Sequence, residues 1–136
     1  MRLVLYADGA ARGNPGPAGA GAVLYDEKGK LVGELARPLG HATNNVAEYS
    51  ALILGLEEAK RRGATAVVVR MDSLLVVQQM RGLWRIKHPG LVPLALRAGA
   101  LLASFGEREI RHVPREENAA ADELSNRAID EGEISA

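Results

Sequence analysis

The sequence contains no cysteine. That excludes thiolate metal sites and a disulfide scaffold, and leaves oxygen ligands for hard cations. Net charge is also missing, because seventeen Lys and Arg balance seventeen Asp and Glu. No global positive field marks a nucleic-acid binder, so any polyanion has to be held by a local patch and by metal. No apolar run approaches the ~18 residues that a membrane span needs, and the stretch from Leu91 to Phe105 is broken by Pro93 and Arg97. No signal-peptide pattern precedes Leu3, so the expectation is a cytoplasmic protein with no membrane partner. The 136 residues, 47% of them hydrophobic, predict one domain over 1–136 with a sizeable core.

Four acids stand out against that background: Asp8, Glu48, Asp72 and Asp122. Asp8 closes the strand-like run Arg2 to Ala7, and Asp72 closes the β-branched run Ala66 to Met71. Glu48 follows Thr43-Asn44-Asn45 at the start of a helical stretch, and Asp122 falls in the first turns of the last helix. In an α/β sheet the carboxyl ends of parallel strands share one edge, where ligand sites form. Carboxylates gathered there repel one another unless hard divalent cations neutralise them, an arrangement suited to two-metal phosphodiester chemistry. Each acid also has a bland reading. Asp8-Gly9 reads as a turn, Asn45 with Glu48 as a capping pair, Asp72 as an N-cap, and Asp122 as an early-helix acid favoured by the dipole.

The first strand is apolar on both faces, as at the centre of a sheet. Asn14 to Gly19 reads as a turn-rich loop, and Gly21–Asp26 with Leu31–Arg37 as a hairpin. Val46, Tyr49, Ile53 and Leu56 mark one face of a helix that Gly63 stops. After Ala66–Met71 come a helix from Ser73 to about Met80, a connector to Pro89, and a helix from Gly90 to Ser104. A peripheral strand from Glu107 to Val113 and a helix from Asn118 to Asp130 follow. The order βββαβααβα predicts an α/β fold with a five-stranded mixed sheet, three antiparallel strands then two parallel ones, flanked by helices. The tail 131–136 is expected to fray.

The segments around the acids resemble the four motifs of the type 1 ribonucleases H. They are Asp8-Gly9-Ala10-Ala11-Arg12-Gly13-Asn14-Pro15-Gly16-Pro17-Ala18-Gly19, Thr43 to Glu48, Asp72 to Val77, and His112 to Asn118 leading to Ala121-Asp122-Glu123-Leu124. The resemblance runs from about residue 2 to about residue 130. It implies a ribonuclease H-like fold and cleavage of the RNA strand of an RNA/DNA hybrid; separately, a monomer with no protein partner is expected. Two Mg²⁺ ions, with Mn²⁺ a possible substitute, would be held by Asp8, Glu48, Asp72 and Asp122, and products would carry 5′-phosphate and 3′-hydroxyl ends.

The same resemblance assigns substrate contacts. The glycine-rich loop from Gly13 to Gly21, with Asn14, would line the minor groove of the hybrid. Thr43, Asn44 and Asn45 would contact phosphate and the 2′-hydroxyl that distinguishes RNA from DNA. Ser73 belongs with these contacts. The connector around the single tryptophan, Trp84, carries Arg85 and Lys87, the best candidates to grip the DNA strand's phosphates. The chain has no room for the basic helix that some members carry here, which predicts a weaker, more salt-limited grip. Many members also carry a loop histidine ten residues before the last aspartate, the spacing of His112 to Asp122. His112-Val113-Pro114 matches a strand-end motif better, so His112 is read as a strand residue and the loop histidine as missing.

Two rival functions remain at this level. One is the same fold with activity broadened to double-stranded RNA. The other is a non-catalytic hybrid-binding module, against which the complete set of four acids argues.

Overall fold

Backbone hydrogen bonding arranges residues 1–136 of the computed structural model into six strands and four α-helices. In chain order these are β1 (Arg2–Ala11), β2 (Gly16–Tyr25), β3 (Leu31–Ala42), α1 (Asn44–Arg61), β4 (Ala66–Met71), α2 (Leu74–Met80), α3 (Val92–Ala103), β5 (Glu107–His112), α4 (Ala119–Glu131) and β6 (Ile134–Ser135). Single 3₁₀ turns at Pro89–Leu91 and Arg115–Asn118 precede α3 and α4. The sheet order is β5-β4-β1-β2-β3-β6. β1, β2 and β3 run antiparallel, while β4 pairs parallel to β1 and β5 parallel to β4. The mixed α/β sheet expected from the sequence is therefore present, with one strand more than the five predicted. No helix is long and apolar enough to cross a membrane.

β1 is central, and its alternation sorts the two layers. Leu3, Leu5 and Ala7 are fully buried beneath α1, whereas Val4 and Tyr6 are half-buried on the side that α4 covers in part. The main core joins those β1 residues to Tyr49, Leu52 and Leu56 of α1, Val67 and Val69 of β4, and Leu102 and Phe105 near the end of α3. A smaller cluster, including Val23, Ala36, Leu124 and Ala128, seats α4 on the opposite face.

Four local expectations need correction. β1 does not end at Asp8 but runs on to Ala11, paired with Ala18 of β2. The segment read as a loop up to Gly19 is strand from Gly16 onward. Its small residues make room for a helix, because a Cβ on Gly21 would lie 2.4 Å from the Ala121 carbonyl oxygen of α4. The N-cap of α1 is Thr43, whose Oγ1 accepts the Val46 N–H at 3.2 Å, so Asn45 lies inside the helix. The tail does not fray: Gly132 turns it back at φ 94°. Glu34 and Ala136 then exchange backbone hydrogen bonds of 2.8 and 2.9 Å. An exposed sheet edge offers unpaired N–H and C=O groups, and β6 satisfies them along part of β3.

Candidate active site

Strand register sets two of the acids side by side. Tyr6 of β1 lies opposite Arg70 of β4, and the same offset of 64 places Asp8 level with Asp72, just past the end of β4. α1 delivers the third acid through a backbone-to-backbone contact. A Cβ on Gly9 would stand 2.1 Å from the Ala47 carbonyl carbon, so only glycine lets β1 and α1 meet this closely. The Gly9 N–H donates to the Glu48 carboxylate. One oxygen from each of Asp8, Glu48 and Asp72 falls within 4.8 Å of the others. Asp122, in the first turn of α4, lines the same cleft but stands outside that trio.

Asp8 and Glu48 are buried and Asp72 is half-buried. Burial is the largest influence on Asp8 and pushes its carboxyl far above the usual range, helped by a hydrogen bond with Glu48 and the charges of Glu48 and Asp72. Burial likewise pushes Glu48 up to about 7, opposed by hydrogen bonds from Asp8, the Gly9 N–H and Ser73. The metal-free pair therefore retains protons that an unfolded chain would release. An all-oxygen, mutually repelling set of this kind fits a hard divalent cation, whose charge would displace those protons.

That electrostatic frustration predicts a stability effect. Both folded pKa values lie above the ordinary 3.8 and 4.5. Metal-free stability should therefore be complete below about pH 4 and fall as pH rises through about 7. Asp8→Asn needs no proton uptake on folding. In chelator at pH 8 it should melt at least about 5 °C above wild type, with the gain shrinking toward pH 5 and on addition of Mg²⁺. Thermal melts across pH test this, and an unchanged or lower melting temperature at pH 8 would contradict the clustering.

Three residues that sequence reasoning passed over belong to this site. Asn118 is almost fully buried, and its Nδ2 donates to Asp72 Oδ1 at 2.7 Å and to the Ala7 carbonyl at 2.9 Å. It thereby fixes Asp72 against β1. Asn126 donates to the Asp122 carbonyl at 3.0 Å and lines the cleft one turn further along α4. Arg115, from the turn before α4, is the one basic side chain lining the acid cleft. Its place in the fourth motif, seven residues before Asp122, is the sequence signal that marks it.

The expected substrate contacts divide into groups. Asn44, Asn45 and Ser73 line the acid cleft, a volume of about 480 Å³. Asn14 and Thr43 lie outside it and hold its wall: Asn14 Oδ1 accepts the Asn44 N–H at 3.1 Å, and Thr43 caps α1. Asn44 Oδ1 in turn accepts the Ala11 N–H at 3.1 Å. Trp84, Arg85 and Lys87 line a second cleft of about 470 Å³, and Asn45 borders both clefts. The expected groove-lining loop is instead largely β2, with Gly19 and Gly21 turned to α4.

His112 ends β5, as expected, is exposed, and is not among the cleft residues. His112→Ala should accordingly leave stability, and any turnover at the acid cleft, near wild type, within about 0.5 kcal/mol for an exposed surface side chain. Comparing steady-state with single-turnover rates checks this. A selective loss of steady-state turnover would place the imidazole in the reaction after all.

Residues 6–128 match the reverse transcriptase-like family. A bifunctional protein of Mycobacterium tuberculosis is 49% identical over 131 residues, covering 96% of this chain and 36% of its own length. The chain thus spans about a third of that relative. The crystal structure of RNase H1 from the archaeon Halobacterium salinarum superposes with a TM-score of 0.93 at 46% identity, covering 96% of this chain and 98% of that one. LC11-RNase H1, solved in complex with an RNA/DNA hybrid, superposes with a TM-score of 0.89 at 45% identity, covering 94% and 96%. The match across almost the whole sequence, together with a superposition that covers 96% of it, makes this chain a member of the type 1 ribonuclease H family, in a short form without the extra basic helix.

Proposed function

We propose that this chain is a metal-dependent endoribonuclease domain, residues 1–136, that cuts the RNA strand of RNA/DNA hybrids in the cytoplasm and acts as a monomer. The observation that carries the reading is the meeting of Asp8, Glu48 and Asp72 oxygens within 4.8 Å, beside the exposed amides of Asn44 and Asn45. The hybrid bound to LC11-RNase H1 supports the substrate class. Asp8, Glu48 and Asp72, with Asp122 completing the set, would hold two Mg²⁺ ions, for which Mn²⁺ could substitute. Bound there, such ions supply a water of lowered pKa and neutralise charge on the leaving 3′-oxygen, which yields 5′-phosphate and 3′-hydroxyl ends.

The protein's own groups position the RNA. Asn44 spends its Oδ1 on the Ala11 N–H, so its amide N–H groups remain to donate to a phosphate or a ribose 2′-hydroxyl. Asn45 faces both clefts and can bridge the cut strand to the strand lying over Trp84. Arg115 offers a permanent positive charge to a phosphate entering an otherwise acidic cleft. Asn118 keeps Asp72 from rotating, through its 2.7 Å hydrogen bond.

A hybrid whose RNA strand has every 2′-hydroxyl replaced by hydrogen should resist cleavage by at least about a hundredfold, since the Asn44 and Asn45 amides lose their RNA-specific partners. Gel assays of the paired substrates, with double-stranded RNA alongside, test the reading. Equal cleavage of the all-DNA duplex would point to a general nuclease.

A further inference from the structure

The connector between α2 and the turn before α3 carries Trp84, Arg85 and Lys87 but has no regular structure from Arg81 to His88. Burial does little to hold it: Leu83 is 62% exposed and Trp84 45% exposed, and of its side chains Ile86 is the one that packs against the core. Its first half is tied by backbone bonds, with the Leu83 and Trp84 N–H groups donating to the Gln78 carbonyl at 2.9 and 3.2 Å. A single side-chain hydrogen bond reaches the stretch from Arg81 to Lys87. Gln79 Nε2 donates to the Arg85 carbonyl at 3.2 Å.

The other end of that amide is anchored in the core to α1, the helix that carries Glu48. Gln79 Oε1 accepts the Tyr49 hydroxyl at 2.6 Å, and Tyr49 is fully buried in α1, one residue after Glu48. Gln79 itself is 8% exposed. A buried amide is the group suited to this place, because it accepts from a phenol and donates to a carbonyl at once. A carboxylate would offer no donor to Arg85, and an aliphatic side chain would leave a buried hydroxyl unpaired. Asn45, on the same helix, borders the acid cleft and the connector cleft, so one rigid element spans both.

We propose that the Tyr49–Gln79–Arg85 relay is a positioning device that fixes the Trp84–Lys87 face relative to the carboxylates. The strand lying on the connector is thereby held in register with the strand to be cut. The inference rests on the hybrid-cleaving function proposed above. Gln79 touches no reacting atom in this scheme. It acts through the loop that it holds, so its loss should weaken substrate capture more than the chemical step.

The test uses Gln79→Met and Tyr49→Phe in the full chain, with Trp84 as the sole tryptophan reporter. Gln79→Met should raise KM for hybrid about tenfold with kcat within about twofold. Without substrate, its Trp84 fluorescence should be quenched more readily by acrylamide and show lower anisotropy. Tyr49→Phe keeps the Arg85 bond and should shift KM and quenching in the same direction by less. If Gln79→Met fails to fold, Tyr49→Phe carries the test alone. An unchanged KM, or a fall in kcat as large as the rise in KM, would overturn the relay while leaving the proposed function standing. A wild-type protein that cleaves no hybrid would overturn that function and this inference with it.

Discussion

Asp72→Asn is expected to slow hybrid cleavage at least a thousandfold, about 4 kcal/mol of barrier, while hybrid affinity changes less than about threefold. The substitution is nearly isosteric. An asparagine carbonyl can still accept the Asn118 amide that holds Asp72 Oδ1 at 2.7 Å, so the end of β4 should keep its geometry. What disappears is one full charge from a trio whose oxygens lie within 4.8 Å of one another, and with it the coordination of a hard cation. Affinity should survive because phosphate contacts, not the acids, supply most of the binding energy. Single-turnover cleavage in Mg²⁺ and equilibrium binding in chelator measure the two quantities separately. Cleavage within a few-fold of wild type would remove Asp72 from the site.

Gly9→Ala should destabilise the fold by about 3 kcal/mol, the upper range for overpacking a tight interior, and reduce cleavage more than stability alone would explain. The added methyl would sit 2.1 Å from the Ala47 carbonyl carbon and 2.3 Å from the Glu48 nitrogen, both backbone atoms that cannot rotate away. α1 would have to move off β1, carrying Glu48 from Asp8 and breaking its hydrogen bond from the Gly9 N–H. A displacement near 1 Å is enough to cost about a hundredfold in rate. Denaturant melts give the stability change, and activity measured where the variant is fully folded gives the rest. A variant within about 1 kcal/mol of wild type and fully active would mean that the β1–α1 contact does not set the site.

Legibility in the sequence followed how local each cause is. β4 and the start of α2 could be read from Val67-Val68-Val69 and the Asp72-Ser73 break, because β-branched propensity and a cap are local properties. The cap is Ser73, one residue after the expected Asp72, and its Oγ accepts the Val76 N–H at 3.3 Å. The first half of β2 could not be read, since Gly16 to Ala20 looks like a loop until α4 is laid against it, whereas Gly21–Asp26 was legible as a hairpin strand. β6 exists because β3 presents an open edge, and nothing within Ile134–Ser135 announces it. The acids were legible as a set, but their ranking was not. Register and the Gly9 contact bring Asp8, Glu48 and Asp72 together, while Asp122 reaches the set from α4 through its hydrogen bond with Asp8. Gln79 was hidden for the same reason, as its role depends on Tyr49 of α1 and on the Arg85 carbonyl of the connector.

The central claim is tested most directly with an RNA/DNA hybrid labelled on the RNA strand, incubated with wild-type protein in Mg²⁺ or in chelator, with the product ends identified. The account predicts internal cuts in the RNA strand only when a divalent cation is present, leaving 5′-phosphate and 3′-hydroxyl ends. Cleavage that persists in chelator, or an intact hybrid with every divalent cation tried, would contradict it.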